Sequence, residues 1–186
     1  MWSFRSPAAP PVVPGVVLAS VRLAVARIDR LIGAAEVAAL GVLVIIMTLV
    51  TLDQVVSRYV FDAPLVWSEE AARYLFIWVA LIGAAAAVRS GGHYGLEVVF
   101  QRLPATAQAI FSLVIWLVMA AFAVALMLKG VAETAQAARQ FSSSLPMRMH
   151  LAYAAIPVGA GLMVWHLIAR LIVYGPTRHP SYKEAP

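Results

Sequence analysis

The sequence predicts an all-α membrane protein, with four transmembrane helices and short interfacial amphipathic helices, and three observations carry that prediction. Of 186 residues, 62% are hydrophobic and 12% charged, with a mean hydropathy of +0.85. A soluble domain carries about 25% charged residues. The charges also act as punctuation. Asp, Glu, Lys and Arg are absent from 37–52, 74–88, 103–128 and 149–169, runs of 16, 15, 26 and 21 residues. Finally, the apolar runs do not alternate: Ala84-Ala85-Ala86-Ala87-Val88 is continuously apolar, whereas a barrel strand needs about ten residues of alternating character. Hydrocarbon admits only helices and closed barrels, because every backbone polar group must be satisfied internally.

A spanning helix needs about 20 mostly apolar residues, and charges are tolerated near its ends. The spans are therefore expected at about 33–57, 67–88, 107–129 and 149–173. They form one membrane domain, 16–174, between a proline-rich tail at 1–15, expected to be disordered, and a C-terminal tail at 175–186. Pro7, Pro10, Pro11 and Pro14 interrupt any signal-peptide core in the N-terminal tail. Residues 16–30 mix Val16, Val17, Val21, Val25 and Ile28 with Arg22, Arg27, Asp29 and Arg30. That mixture reads either as a short helix in the inner headgroup layer, leading into the first span, or as a loosely helical leader.

Orientation follows from Lys and Arg. With a cytoplasmic N-terminus, nine of them lie inside (Arg5, Arg22, Arg27, Arg30, Arg89, Arg102, Arg170, Arg178, Lys183) and five outside (Arg58, Arg73, Lys129, Arg139, Arg148). Nine against five favours both termini inside.

Composition also narrows the chemistry. The chain has no cysteine, which excludes disulfides, thiolate metal sites and thiol nucleophiles. Its net charge of +5 is scattered rather than gathered into a stripe, so nucleic acid is not an expected partner. Membrane lipid is.

The densest polar stretch joins the first two spans, from Asp53 through Arg58, Tyr59, Asp62, Pro64, Trp67, Ser68, Glu69 and Glu70 to Arg73 and Tyr74. Pro64 turns Ala63 away from helix. Ser68 is expected to cap the second helix, with Glu69 and Glu70 in its positive first turn. Arg73 follows Glu69 by four residues and Glu70 by three, a spacing that allows an ion pair on one helix face. Adjacent carboxylates point about 100° apart on a helix of 3.6 residues per turn, which argues against an acid/base pair. For Arg58, Glu70 and Arg73 the expected role is a buried polar network that docks this helix pair against another membrane subunit, because charges near lipid need partners.

A second polar knot follows the second span: Gly83, then Arg89, Ser90, Gly91, Gly92, His93 and Glu97. The glycines permit a sharp turn, and 96–103 reads as a surface helix ending before Pro104. His93 has no companion at metal-ligand spacing, and Gly91-Gly92 lacks the ending of a phosphate loop. Beyond the third span, 131–141 reads as a helical extension stopped by Ser142-Ser143-Ser144 and Pro146. Pro157, Gly159 and Gly161 predict a kink or a close helix contact in the fourth span. His150 and His166 are about 24 Å apart along one helix at 1.5 Å per residue, too far to ligate one haem, and His166 is expected to be interfacial rather than functional.

Several of these residues, in order, carry a resemblance. Arg58-Tyr59-Val60-Phe61, Trp67-Ser68-Glu69-Glu70, Arg73-Tyr74, Trp78, Gly83, Arg89 through Gly92-His93 to Glu97, Ser144-Leu145-Pro146-Met147 and Ile156-Pro157-Val158-Gly159 resemble the small, DctQ-like permease subunit of tripartite ATP-independent periplasmic (TRAP) transporters. The likeness covers roughly 33–173 and departs from the family in Glu97, where aspartate is usual, and Leu96, where valine or isoleucine is usual. It implies a non-catalytic subunit of a bacterial inner-membrane importer of an organic acid, driven by a sodium gradient. The implied partners are a large permease subunit and a periplasmic substrate-binding protein. It implies no metal, cofactor or catalytic residue. Arg58, Trp67, Glu69, Glu70, Arg73, Trp78, Gly83, Arg89, Gly91, Gly92 and His93 become structural and subunit-docking positions. The alternatives are a self-sufficient homo-oligomeric transporter or channel, which needs an ionisable group within the membrane, and a membrane enzyme or electron carrier, which needs facing histidine pairs or a catalytic cluster.

Overall fold

The computed structural model of the chain describes residues 14–90 and 104–175. Its elements are α1 (Pro14–Tyr59), α2 (Val66–Ser90), α3 (Ala105–Ala137), α4 (His150–Tyr153) and α5 (Ala155–Tyr174). Among the described residues, four helical segments are long and apolar enough to cross a membrane: Leu18–Tyr59, Val66–Ser90, Thr106–Ala137 and His150–Tyr174. The expected tails, the Gly91-Gly92-His93 turn and the 96–103 surface helix lie outside the described residues, apart from Pro14 and Gly15 in α1 and Gly175 at the end of α5.

The leader and the first span form one continuous helix of 46 residues. At 1.5 Å per residue α1 is about 69 Å long, more than twice the hydrocarbon thickness of about 30 Å. The cause is local. Pro14 sits in the first turn, where a missing N–H costs nothing, and no proline follows until Pro64. Arg27, Asp29 and Arg30 change the polarity of the helix without breaking its backbone. The chain leaves α1 through Asp62, which has a left-handed backbone (φ 52°), a conformation aspartate tolerates better than most residues. The Ala63 N–H closes this turn on the Ser57 carbonyl at 3.0 Å.

Ser68 does not cap α2. The helix begins at Val66, and the buried Ser68 hydroxyl donates back to the Leu65 carbonyl at 2.7 Å. Pro104, extended at φ −63° and ψ 150°, precedes α3, which continues beyond Lys129 to Ala137 and so contains most of the expected extension. The fourth span is interrupted between α4 and α5 at Ala154. Three residues later Pro157 lacks an N–H, and its ring crowds the carbonyl four residues back.

α5 is the central helix. It packs against α1, α2 and α3, whereas α1 and α3 have no substantial interface with each other. Of the most apolar stretch of each span, 33% is buried in the fourth but 6% in the first and third. Small residues allow the close approaches. A Cβ at Gly159 would lie 2.8 Å from the Leu81 Cβ and 3.0 Å from its carbonyl oxygen. On α3 the buried Ala123, Gly130 and Ala137 recur every seven residues and form one stripe. A Cβ at Gly130 would lie 2.7 Å from Ile156 Cγ2 and 2.9 Å from the Pro157 nitrogen. Ala85, Ala123, Met163 and Leu167 form the apolar core, covered by Val88, Trp116 and Met119.

Candidate functional site

Two polar clusters lie at opposite ends of the bundle. The first forms where α2 begins and the chain passes from α3 to α4. Glu70, in the first turns of α2, accepts from the Ser144 N–H at 3.0 Å and the Ser143 hydroxyl at 3.2 Å, and from the Ser144 hydroxyl. Its other oxygen accepts from the Tyr74 hydroxyl one turn along. One carboxylate thus gathers both the loop and its own helix, and charge-assisted bonds to a carboxylate are the stronger kind. The loop is also braced internally. Phe141 pairs with Arg148 as an isolated antiparallel bridge, the Leu145 N–H reaches the Ser142 hydroxyl at 3.1 Å, and the Arg148 guanidinium reaches the Ala138 carbonyl at 2.9 Å. Below it, the Trp78 indole N–H donates to the Leu151 carbonyl at 3.1 Å. That bond satisfies a backbone acceptor beside the α4–α5 break.

The second cluster forms where α2 ends. His166 on α5 is 3% exposed. Its Nδ1 lies 2.7 Å from Asp29 Oδ1 and its Nε2 lies 2.8 Å from Glu36 Oε1, both on α1. Arg89, in the last turn of α2, donates to the other Asp29 oxygen at 3.3 Å. Asp29 and Glu36 are seven residues apart, two turns, and so share a face of α1. Gly33 lies between them, and a Cβ there would run into the Arg89 guanidinium. Gly33 and Glu36 are the buried residues of α1 among those whose side chains are described. This long apolar helix therefore meets the bundle most intimately through a polar contact.

The expected site residues separate accordingly. Glu70 and Trp78 join the first cluster and Arg89 the second. Glu69 and Arg73 form an exposed ion pair at 3.0 Å, as their spacing allowed. Arg58 is exposed, with its guanidinium 5.8 Å from the centre of the Tyr59 ring. Within this chain Arg58, Glu70 and Arg73 therefore do not share one network. Trp67 is 39% exposed. Gly83 is half-buried, and a Cβ there would make only an ordinary contact with Leu40 at 3.9 Å. Gly91, Gly92 and His93 lie outside the described residues.

His166, expected to be interfacial rather than functional, is a buried bridge between α5 and two carboxylates of α1. Asp29 and Glu36 had no assigned role. These residues are separated from His166 by 137 and 130 positions, so no local spacing connects them. The available signal was an acidic pair seven apart beside a glycine, within a helix otherwise suited to lipid. Among the described residues no group of three His, Asp or Glu side chains has the geometry to hold a metal ion.

Residues 47–173 match the family described as tripartite ATP-independent periplasmic transporters, DctQ component. The chain is 33% identical over 112 residues to the C4-dicarboxylate TRAP transporter small permease protein DctQ of Rhodobacter capsulatus, covering 56% of this chain and 47% of that one. It is 32% identical over 82 residues to the protein of the same name from Vibrio cholerae, covering 44% of this chain and 35% of that one. It is 26% identical over 139 residues to the isethionate TRAP transporter permease protein DctMQ of Oleidesulfovibrio alaskensis, covering 73% of this chain and 22% of that one. The chain thus spans less than half the length of each of these relatives.

Proposed function

We propose a scaffolding role for this chain, which belongs to the DctQ component family of tripartite ATP-independent periplasmic transporters. It serves as the small subunit of a secondary importer in the bacterial inner membrane, with both termini cytoplasmic. A periplasmic binding protein delivers an organic acid. A large permease subunit carries it inward with the sodium gradient, and this chain widens the fixed membrane frame around that movement.

One observation carries the reading. The two polar clusters join helices of this chain to one another, and packed apolar residues separate them. Ile82 and Ala85 on α2, and Gly159, Ala160 and Met163 on α5, are buried between the two ends. Ion-coupled pathways usually place polar groups or broken helices at mid-membrane. Here the described polar groups, Glu36 and His166 within the spans included, pair with one another between helices of this chain and so brace a frame. The length of the isethionate relative supports a large partner, since the chain covers only 22% of that permease protein.

Reconstitution into liposomes tests the role. The purified chain alone, under an inward sodium gradient, is expected to give no uptake of C4-dicarboxylates or isethionate. Uptake is expected when the co-purified large permease and the binding protein are added. Saturable uptake by the chain alone would overturn the scaffold reading in favour of a self-sufficient transporter.

A further inference from the structure

The cluster on α1, α2 and α5 has a proton requirement that follows from its geometry. A neutral imidazole has one N–H and one lone pair. Both ring nitrogens of His166 lie within hydrogen-bond distance of a carboxylate oxygen, 2.7 Å to Asp29 and 2.8 Å to Glu36. With both carboxylates ionised and the ring neutral, one nitrogen lone pair would face a negative oxygen at contact distance. Glu36 is 4% exposed, and its second oxygen is buried without a partner among the described residues. A buried carboxylate in that position needs either a cation beside it or a proton of its own. Asp29 differs, because Arg89 neutralises it from α2 at 3.3 Å.

We infer that the contact between Glu36 and His166 is a buried proton-binding site, holding one proton at neutral pH and thereby fastening α1 to α5. The proton belongs to the pair: it sits on Nε2, giving an imidazolium between two carboxylates, or on Glu36, giving a carboxylic acid that donates to Nε2. Either placement leaves the cluster electrically neutral once Arg89 is counted. Among the described residues, the other charged side chains beside it in sequence are Arg170, half-buried one turn along α5, and the exposed Arg27 and Arg30 on α1. α3 contributes the Trp116 indole, 3.4 Å from the Leu167 carbonyl, which does not titrate. Loss of the proton sets Glu36 against a lone pair where α1 is most deeply buried, so the α1–α5 contact is the one loosened, while Asp29 still pairs with Arg89 on α2.

The test uses the full chain in lipid nanodiscs at pH 7.5, about one unit above the pKa of free histidine. Nitrogen NMR of ¹⁵N-histidine-labelled protein reads the ring, and infrared spectroscopy reads protonated carboxyl groups. The expected result is one histidine protonated on both nitrogens, or a protonated-carboxyl band, with the signal lost in Glu36→Gln, whereas a folded His166→Gln variant, which leaves Glu36 buried with no cation beside it, shows the carboxyl band. A native spectrum with neither signal would overturn the proposal. So would a signal that persists in a folded Glu36→Gln variant. If neither variant folds, the native spectra alone decide.

Discussion

The backbone N–H of Ser144 donates to Glu70 across 3.0 Å, from a loop 74 residues away in sequence. That bond fixes how the α3–α4 connection sits over the start of α2. Glu70→Ala is therefore expected to release residues 142–147 and leave the helices intact. Hydrogen exchange at the Ser144 amide checks this: protection falls in Glu70→Ala and is retained in Glu69→Ala. The exposed Glu69–Arg73 pair contributes at most about 0.5 kcal/mol, so its loss should not move thermal stability measurably. Equal loss of protection in both variants would remove the distinction between the two glutamates.

Gly159 and Gly161 stand two residues apart on α5 and make opposite predictions. A Cβ at Gly159 meets the Leu81 side chain and backbone, whereas nothing lies within 4 Å of one at Gly161. Gly159→Ala should destabilise the chain by about 1–3 kcal/mol through overpacking. Gly161→Ala should be neutral or mildly stabilising, since alanine favours helix. Thermal unfolding in detergent compares them directly.

Trp78→Phe keeps most of the ring but removes the donor to the Leu151 carbonyl. The expected cost is about 0.5–1.5 kcal/mol, with exchange increased at the α4 amides beside the break before α5. A variant with unchanged α4 protection would show that the indole bond does not hold this junction.

The apolar flanks predict assembly rather than folding. Leu49 on α1 is 59% exposed and Phe122 on α3 is 61% exposed. Leu49→Ser and Phe122→Ser should leave the isolated chain's stability within about 0.5 kcal/mol, as surface substitutions usually do. At least one of them should reduce recovery of the large permease. Full recovery with both substitutions combined would place the docking surface elsewhere.

Hydrophobic length and charge gaps made the four spans legible, and the Glu69–Arg73 pair was legible from its spacing of four. The continuity of α1 was encoded in the absence of proline between Pro14 and Pro64, but the charges at Arg27, Asp29 and Arg30 suggested a boundary that the backbone does not make. Ser68 carried a capping residue's identity without its geometry, because α2 begins at Val66. The contacts that organise both clusters, Glu70 with Ser144 and His166 with Asp29 and Glu36, join residues more than 70 positions apart. Single-sequence periodicity holds no information on such pairs, since helix spacing describes neighbours within a few turns.

The most direct test of the scaffold reading is to recover the tagged chain from its native membrane in mild detergent and identify what accompanies it by quantitative mass spectrometry. The account predicts a large, many-helix permease in equimolar amount. Recovery of the chain alone, as a discrete homo-oligomer, would contradict it.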